Sequence, residues 1–109
     1  MPRDPAKLRV SHRAHGLVLE VYRLSRALPT EERYGLTAQL RRAAVSVPTN
    51  IAEGCVRTGT KAYRSFLDIA LGSAATRYLL GLAVDLNYMT EDDVAGCRDC
   101  SDHVVRELL

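Results

Sequence analysis

The chain has no tryptophan and a single phenylalanine, and five tyrosines complete its aromatic set. That scarcity argues against an RNA-binding sheet, which stacks bases on exposed aromatics. Four prolines and seven glycines leave little room for a loop-rich or all-β design. No uninterrupted apolar run approaches the ~18 residues of a membrane span, so no membrane is expected as a partner. The start, Met1-Pro2-Arg3-Asp4-Pro5, is polar and shows no apolar leader, so a cytoplasmic setting is expected. Three cysteines (Cys55, Cys97 and Cys100) are an odd number, which suits free thiols better than a disulfide framework.

What is present suffices for one domain: 109 residues, 47% of them hydrophobic. The net charge of +2 hides a division along the chain. Residues 1–43 hold nine Lys/Arg and four Asp/Glu, residues 44–81 four and two, residues 82–109 two and seven. The basic first part suits either a nucleic-acid surface or charge pairing between subunits.

Residues 1–10, with Pro2, Pro5, Arg3, Lys7 and Arg9, read as a flexible basic arm, and residues 11–109 as the folded domain. The first helix is expected from Ser11, with Ala14, Leu17, Val18, Val21, Leu24, Ser25 and Leu28 at helical spacing and Pro29 as its stop. The second starts near Leu36 and carries Leu36, Leu40, Ala43, Val47 and Ile51. Pro48 lies inside it, yet the apolar phase continues, which predicts one kinked helix. The third runs over about 60–88, capped by Thr60. Between Phe66 and Tyr88 its only charges are Asp68, Arg77 and Asp85, so it has more apolar face than one bundle core can cover. A second copy of the chain is the simplest cover. Thr90-Glu91-Asp92-Asp93 opens the fourth helix, with a capping threonine ahead of three acids and an apolar row of Val94, Cys97, Ser101, Val104 and Leu108. The expected fold is all-α: an up-down-up-down antiparallel four-helix bundle with a proline-kinked second helix.

No catalytic constellation emerges, and no enzyme activity, metal or cofactor is expected. Cys97 and Cys100 lack the second pair of ligands that closes a zinc site, and no βαβ setting supports a thioredoxin-type motif. His12 and His15 have no nucleophile beside them in sequence, and no glycine spacing forms a phosphate loop. Arg42, Asn50 and Glu53 flank the proline and are expected to form a structural polar network around the carbonyl of Ala44 that the proline leaves free. Arg41, Arg42, Arg57, Lys61 and Arg64 are the candidate nucleic-acid-binding residues. The last three surround the start of the third helix, where free N–H groups favour a phosphate.

The middle of the chain carries a resemblance. Tyr34-Gly35-Leu36, the run Gln39-Leu40-Arg41-Arg42-Ala43-Ala44-Val45-Ser46-Val47-Pro48-Thr49-Asn50-Ile51-Ala52-Glu53-Gly54, then Arg57, Tyr63 and Phe66-Leu67-Asp68-Ile69-Ala70-Leu71-Gly72-Ser73 resemble the 23S rRNA-intervening sequence protein family. These are four-helix bundles encoded within bacterial large-subunit rRNA genes. The accessory variability proteins of diversity-generating retroelements look like the same group. The resemblance covers about residues 14–88. It implies a small bacterial bundle assembled as a ring, typically a homopentamer, without enzymatic activity. For the retroelement relatives it implies a basic surface that binds nucleic acid and a reverse-transcriptase partner. Arg41, Arg42, Asn50, Glu53 and Arg57 match the family's polar positions. The chain departs where Ala74-Ala75-Thr76-Arg77 replaces the acidic residue usual after Gly72-Ser73, and where Leu17 and Val18 replace a first-helix aromatic. The acidic C-terminal third also opposes an all-round basic ring. The expected function is therefore a non-catalytic homo-oligomer that binds RNA or DNA through phosphates; the alternative is an adaptor that docks a partner protein.

Overall fold

The computed structural model describes residues 5–54 and 59–108. Among these residues the chain is all-α, with four α-helices and no strand: α1 (Pro5–Ser25), α2 (Leu36–Gly54), α3 (Gly59–Asp85) and α4 (Glu91–Leu108). A short 3-10 turn (Thr30–Glu32) lies between α1 and α2. The molecule is elongated, 42 × 23 × 19 Å, which matches the ~40 Å length of a 27-residue helix such as α3.

Helix α1 begins at Pro5, so residues 5–10, expected in the basic arm, are helical. Proline suits a first helical position because its fixed φ is helical and its missing N–H would have no partner there. Val10 explains the rest. It is only 2% exposed and extends the buried row of Ala14, Leu17, Val21 and Leu24 by one turn toward the N-terminus.

Helix α2 buries Leu36, Leu40, Ala44, Val47 and Ile51. The expected core position Ala43 is half-buried instead, and its carbonyl lies on the side of α3 at Gly72. Pro48 stands inside the helix as expected. Three side chains around it bond the backbone of the preceding turn. Ser46 Oγ donates to Ala43 O (2.7 Å), Thr49 Oγ1 to Val45 O (2.8 Å) and Asn50 Nδ2 to Ser46 O (2.8 Å).

Helix α3 ends three residues earlier than the apolar pattern predicts. Asn87 adopts φ 65°, and the N–H groups of Asn87 and Tyr88 return to Val84 O and Ala83 O, both at 2.9 Å. This is a Schellman closure, and asparagine is the residue that tolerates it best after glycine. By length and composition α3 could cross a membrane. Its Ile69, Thr76, Leu80 and Ala83 are buried against the neighbouring helices, while 39% of its apolar window in all is buried.

Helix α4 starts as the sequence predicts. Asp93 N donates to Thr90 Oγ1 (3.1 Å) and Thr90 N donates to Asp93 Oδ2 (2.9 Å). This reciprocal cap satisfies two otherwise free N–H groups.

Each of α1 and α3 packs against both α2 and α4. The core lies among all four helices, with Leu17, Leu40, Val47, Leu80, Val94 and Val104 fully buried. Between α2 and α3, Gly72 leaves room for Ser46 and Val47.

Candidate nucleic-acid interface

The expected cationic residues divide into three sets. Arg41 is half-buried and engaged within the chain. Its Nε donates to Ser25 Oγ at 2.8 Å, and its guanidinium lies 4.6 Å from the centre of the Tyr22 ring. Ser25 Oγ in turn donates to Tyr22 O (3.1 Å). Arg41 thus ties α2 to the end of α1, and its adjacent partner Arg42 is exposed, as two neighbours on a helix diverge by about 100°. Lys61 and Arg64 are both exposed in the first two turns of α3. Arg57 lies outside the described residues.

Lys61 and Arg64 have company that the sequence order did not suggest. Lys7 of α1 lines one apolar cavity together with Gly54 of α2, Ala62 of α3 and Leu108 of α4. The start of α1 and the start of α3 therefore share one end of the molecule. Lys7, Arg9, Lys61 and Arg64 are all exposed at or near that end. The opposite end carries charges of both signs, with Arg23, Arg26 and Arg33 exposed there. Tyr88, just past α3, donates its hydroxyl to Glu32 Oε2 (3.2 Å), just past α1. Burial first, and the Glu32 carboxylate second, push the Tyr88 hydroxyl pKa above its ordinary value. Glu31, Asp85, Glu91, Asp92 and Asp93 are exposed around this end.

Some of the charge division is used inside the chain. Arg13 of α1 pairs with Glu107 of α4 at 2.9 Å. Between α3 and α4 a groove is lined by Ser73, Arg77, Ser101, Asp102 and Arg106. Arg77 pairs there with Asp102 Oδ1 (2.7 Å), and Arg106 Nε donates to Asp102 O (3.4 Å). Arg98 pairs with Glu91. Arg13, Arg77 and Arg98 are neutralised locally, unlike Arg9 and Arg64 at the basic end.

Of the expected polar network, Asn50 bonds the Ser46 carbonyl within its own helix, Glu53 is half-buried with a partner, and Arg42 is exposed with no hydrogen bond to Asn50. Cys97 is buried, and burial pushes its thiol pKa up to about 12. Cys100 is half-buried with its thiol 3.4 Å from Arg13 O, and burial raises its pKa as well. His12, His15 and His103 are exposed. No three metal-capable side chains cluster among the described residues.

The family model for the 23S rRNA-intervening sequence protein matches residues 6–109. The chain belongs to this family. The match takes in all four helices, including the fourth, which lies beyond the stretch that carries the sequence resemblance. A search of curated proteins finds no match to this family member.

Proposed function

We propose that the protein is a non-catalytic, cytoplasmic, homo-oligomeric helical bundle that holds RNA or DNA through phosphate contacts at its basic end. The observation that carries this reading is the group of exposed cations at one end. Lys7, Arg9, Lys61 and Arg64 are exposed at or near it. A polyanion is attracted to such a group, so the net charge of +2 understates the local field.

The underlying architecture is an up-down-up-down antiparallel bundle, bent in α2 at Pro48. Contacts between opposite halves of neighbouring helices support the topology: Ser25 with Arg41, Gly54 with Ser65, Gly81 with Arg98, and Arg13 with Glu107. The bend follows from the bond that Pro48 cannot donate to Ala44 O. Family membership supports a ring of copies, with five the number the resemblance implies.

The test is binding to single- and double-stranded RNA and DNA across a salt series, on protein whose mass is fixed by light scattering. Affinity is expected to fall steeply with salt. Charge reversal of Lys7, Lys61 and Arg64 should then flatten the slope by about 0.9 per lost phosphate contact on duplex DNA. An unchanged slope overturns this interface. No binding at low salt overturns the nucleic-acid reading and leaves the partner-docking alternative, which the exposed Leu71 and Tyr78 favour.

A further inference from the structure

Five hydroxyl side chains are buried among the described residues, and four of them donate a hydrogen bond. Ser25 gives its proton to Tyr22 O, Ser65 to Lys61 O, Thr76 to Gly72 O and Ser101 to Ser73 O. Ser73 differs. It is only 3% exposed, and its Oγ has no hydrogen-bond partner among the described residues. An unpaired buried hydroxyl is destabilising, and a ligand that accepts its proton removes that cost.

Ser73 lines the groove between α3 and α4, whose volume of about 320 Å³ lies in the range of small-ligand pockets. The charges around it do not balance. Arg77 and Arg106 bring two cations, and Asp102 brings one carboxylate. Arg77 pairs with Asp102 Oδ1 (2.7 Å). Arg106 forms no ion pair among the described residues, and its Nε reaches only Asp102 O, at 3.4 Å. Helical spacing gathers these groups. Ser73 and Arg77 stand four apart on α3, and Asp102 and Arg106 four apart on α4, so each pair shares a face. The bond from Ser101 to Ser73 O, at 3.3 Å, holds the two helices in that register. The rest of the groove is small and apolar, with Ala70, Ala74 and Val105.

We propose that this groove binds a small organic monocarboxylate. Its carboxylate lies between the guanidinium groups of Arg77 and Arg106 and accepts the Ser73 proton, and its short apolar body rests on Ala70, Ala74 and Val105. One negative charge cancels the excess that Asp102 leaves. The planar fork of a guanidinium matches the two oxygens of a carboxylate. A serine hydroxyl turns about a single bond, so Ser73 can meet the ligand without backbone movement. A phosphate dianion exceeds the charge available and leaves the apolar wall uncovered. The site lies about 24 Å along α3 from Lys61, sixteen residues at the helical rise, so it is separate from the basic end. It stands whether or not nucleic acid binds there.

The experiment titrates isotope-labelled protein with sodium pentanoate at constant ionic strength. Nuclear magnetic resonance follows the side-chain Nε–H signals of Arg77 and Arg106 and the backbone amide of Ser73. These signals should shift together and saturate, while the side-chain signals of Arg13 and Arg64 stay in place. Pentanol, with the apolar body and no charge, and inorganic phosphate, with charge and no body, should both bind more weakly. Ser73→Ala should weaken pentanoate about tenfold through the lost hydrogen bond to a charged group. Asp102→Asn should tighten it, because a competing carboxylate is gone. Circular dichroism verifies the helices, and Arg106→Gln, at an exposed position, serves with the same expected loss if Ser73→Ala disturbs them. Wild-type affinity in Ser73→Ala overturns the site, as does a shift of Arg64 with the same midpoint, which marks general attraction of anions to cations. Phosphate that binds as tightly as pentanoate overturns the assignment to a carboxylate.

Discussion

The hydroxyl of Ser46 occupies the space that a β-carbon on Gly72 would need. Ser46 is held there by its bond to Ala43 O (2.7 Å), so it cannot step aside without losing that partner. Val47 Cγ2 and Ala43 O also lie close to the same point, at 3.3 and 3.5 Å. Gly72→Ala should therefore push α2 and α3 apart and lower stability by about 1–3 kcal/mol. Urea unfolding measures this. The double variant Ser46→Ala/Gly72→Ala should recover part of the loss, since it removes the atom in the way.

Arg41 separates structure from binding. Its guanidinium is engaged by Ser25 and Tyr22. Arg41→Ala should cost about 1–2 kcal/mol through the lost charged hydrogen bond and ring contact. It should leave the salt dependence of nucleic-acid binding unchanged. A slope reduced as far as by loss of Lys61 would instead assign Arg41 a phosphate.

The buried thiol of Cys97, with its pKa near 12, carries almost no thiolate near neutral pH. Alkylation followed residue by residue by mass spectrometry should leave Cys97 unmodified in the native protein at pH 8. Full modification should appear once denaturant is added. Cys100, half-buried and also raised, should react more slowly than a free thiol.

The cap of α4 predicts an acid limb of stability. The Thr90 N–H first, and the Thr90 side chain second, hold the Asp93 carboxyl below the ordinary carboxylate range. A depressed folded pKa adds stability above the unfolded value, and that contribution is lost as the pH falls through the folded value. Thermal unfolding of Asp93→Asn should therefore vary less between neutral and strongly acidic pH than that of the wild type. Thr90→Ala should cost about 1 kcal/mol at neutral pH, as loss of a threonine N-cap does.

The four helices were legible because their signals are local. Leu17, Val21 and Leu24, or Val94, Cys97, Ser101 and Val104, reveal a buried face by spacing alone, and all of these are buried. The Thr90 cap reads from four consecutive residues. The earlier start of α1 was hidden because Pro5 and the nearby cations suggest a tail, although Val10 is in phase with Ala14. The early end of α3 depended on one asparagine taking a left-handed conformation inside an apolar stretch.

The sequence by itself determined the helical class, the buried rows and the surplus apolar face of α3, since hydrogen bonding and hydrophobic period act within a few residues. Only the tertiary structure decided which charges face solvent together. It brought Lys7 to the cavity that Ala62 also lines, tied Arg41 to Ser25 and joined Glu32 to Tyr88, pairs separated by 16 to 56 positions. Those relations depend on how distant helices pack side by side and which of their ends coincide, and no spacing within one helix encodes that.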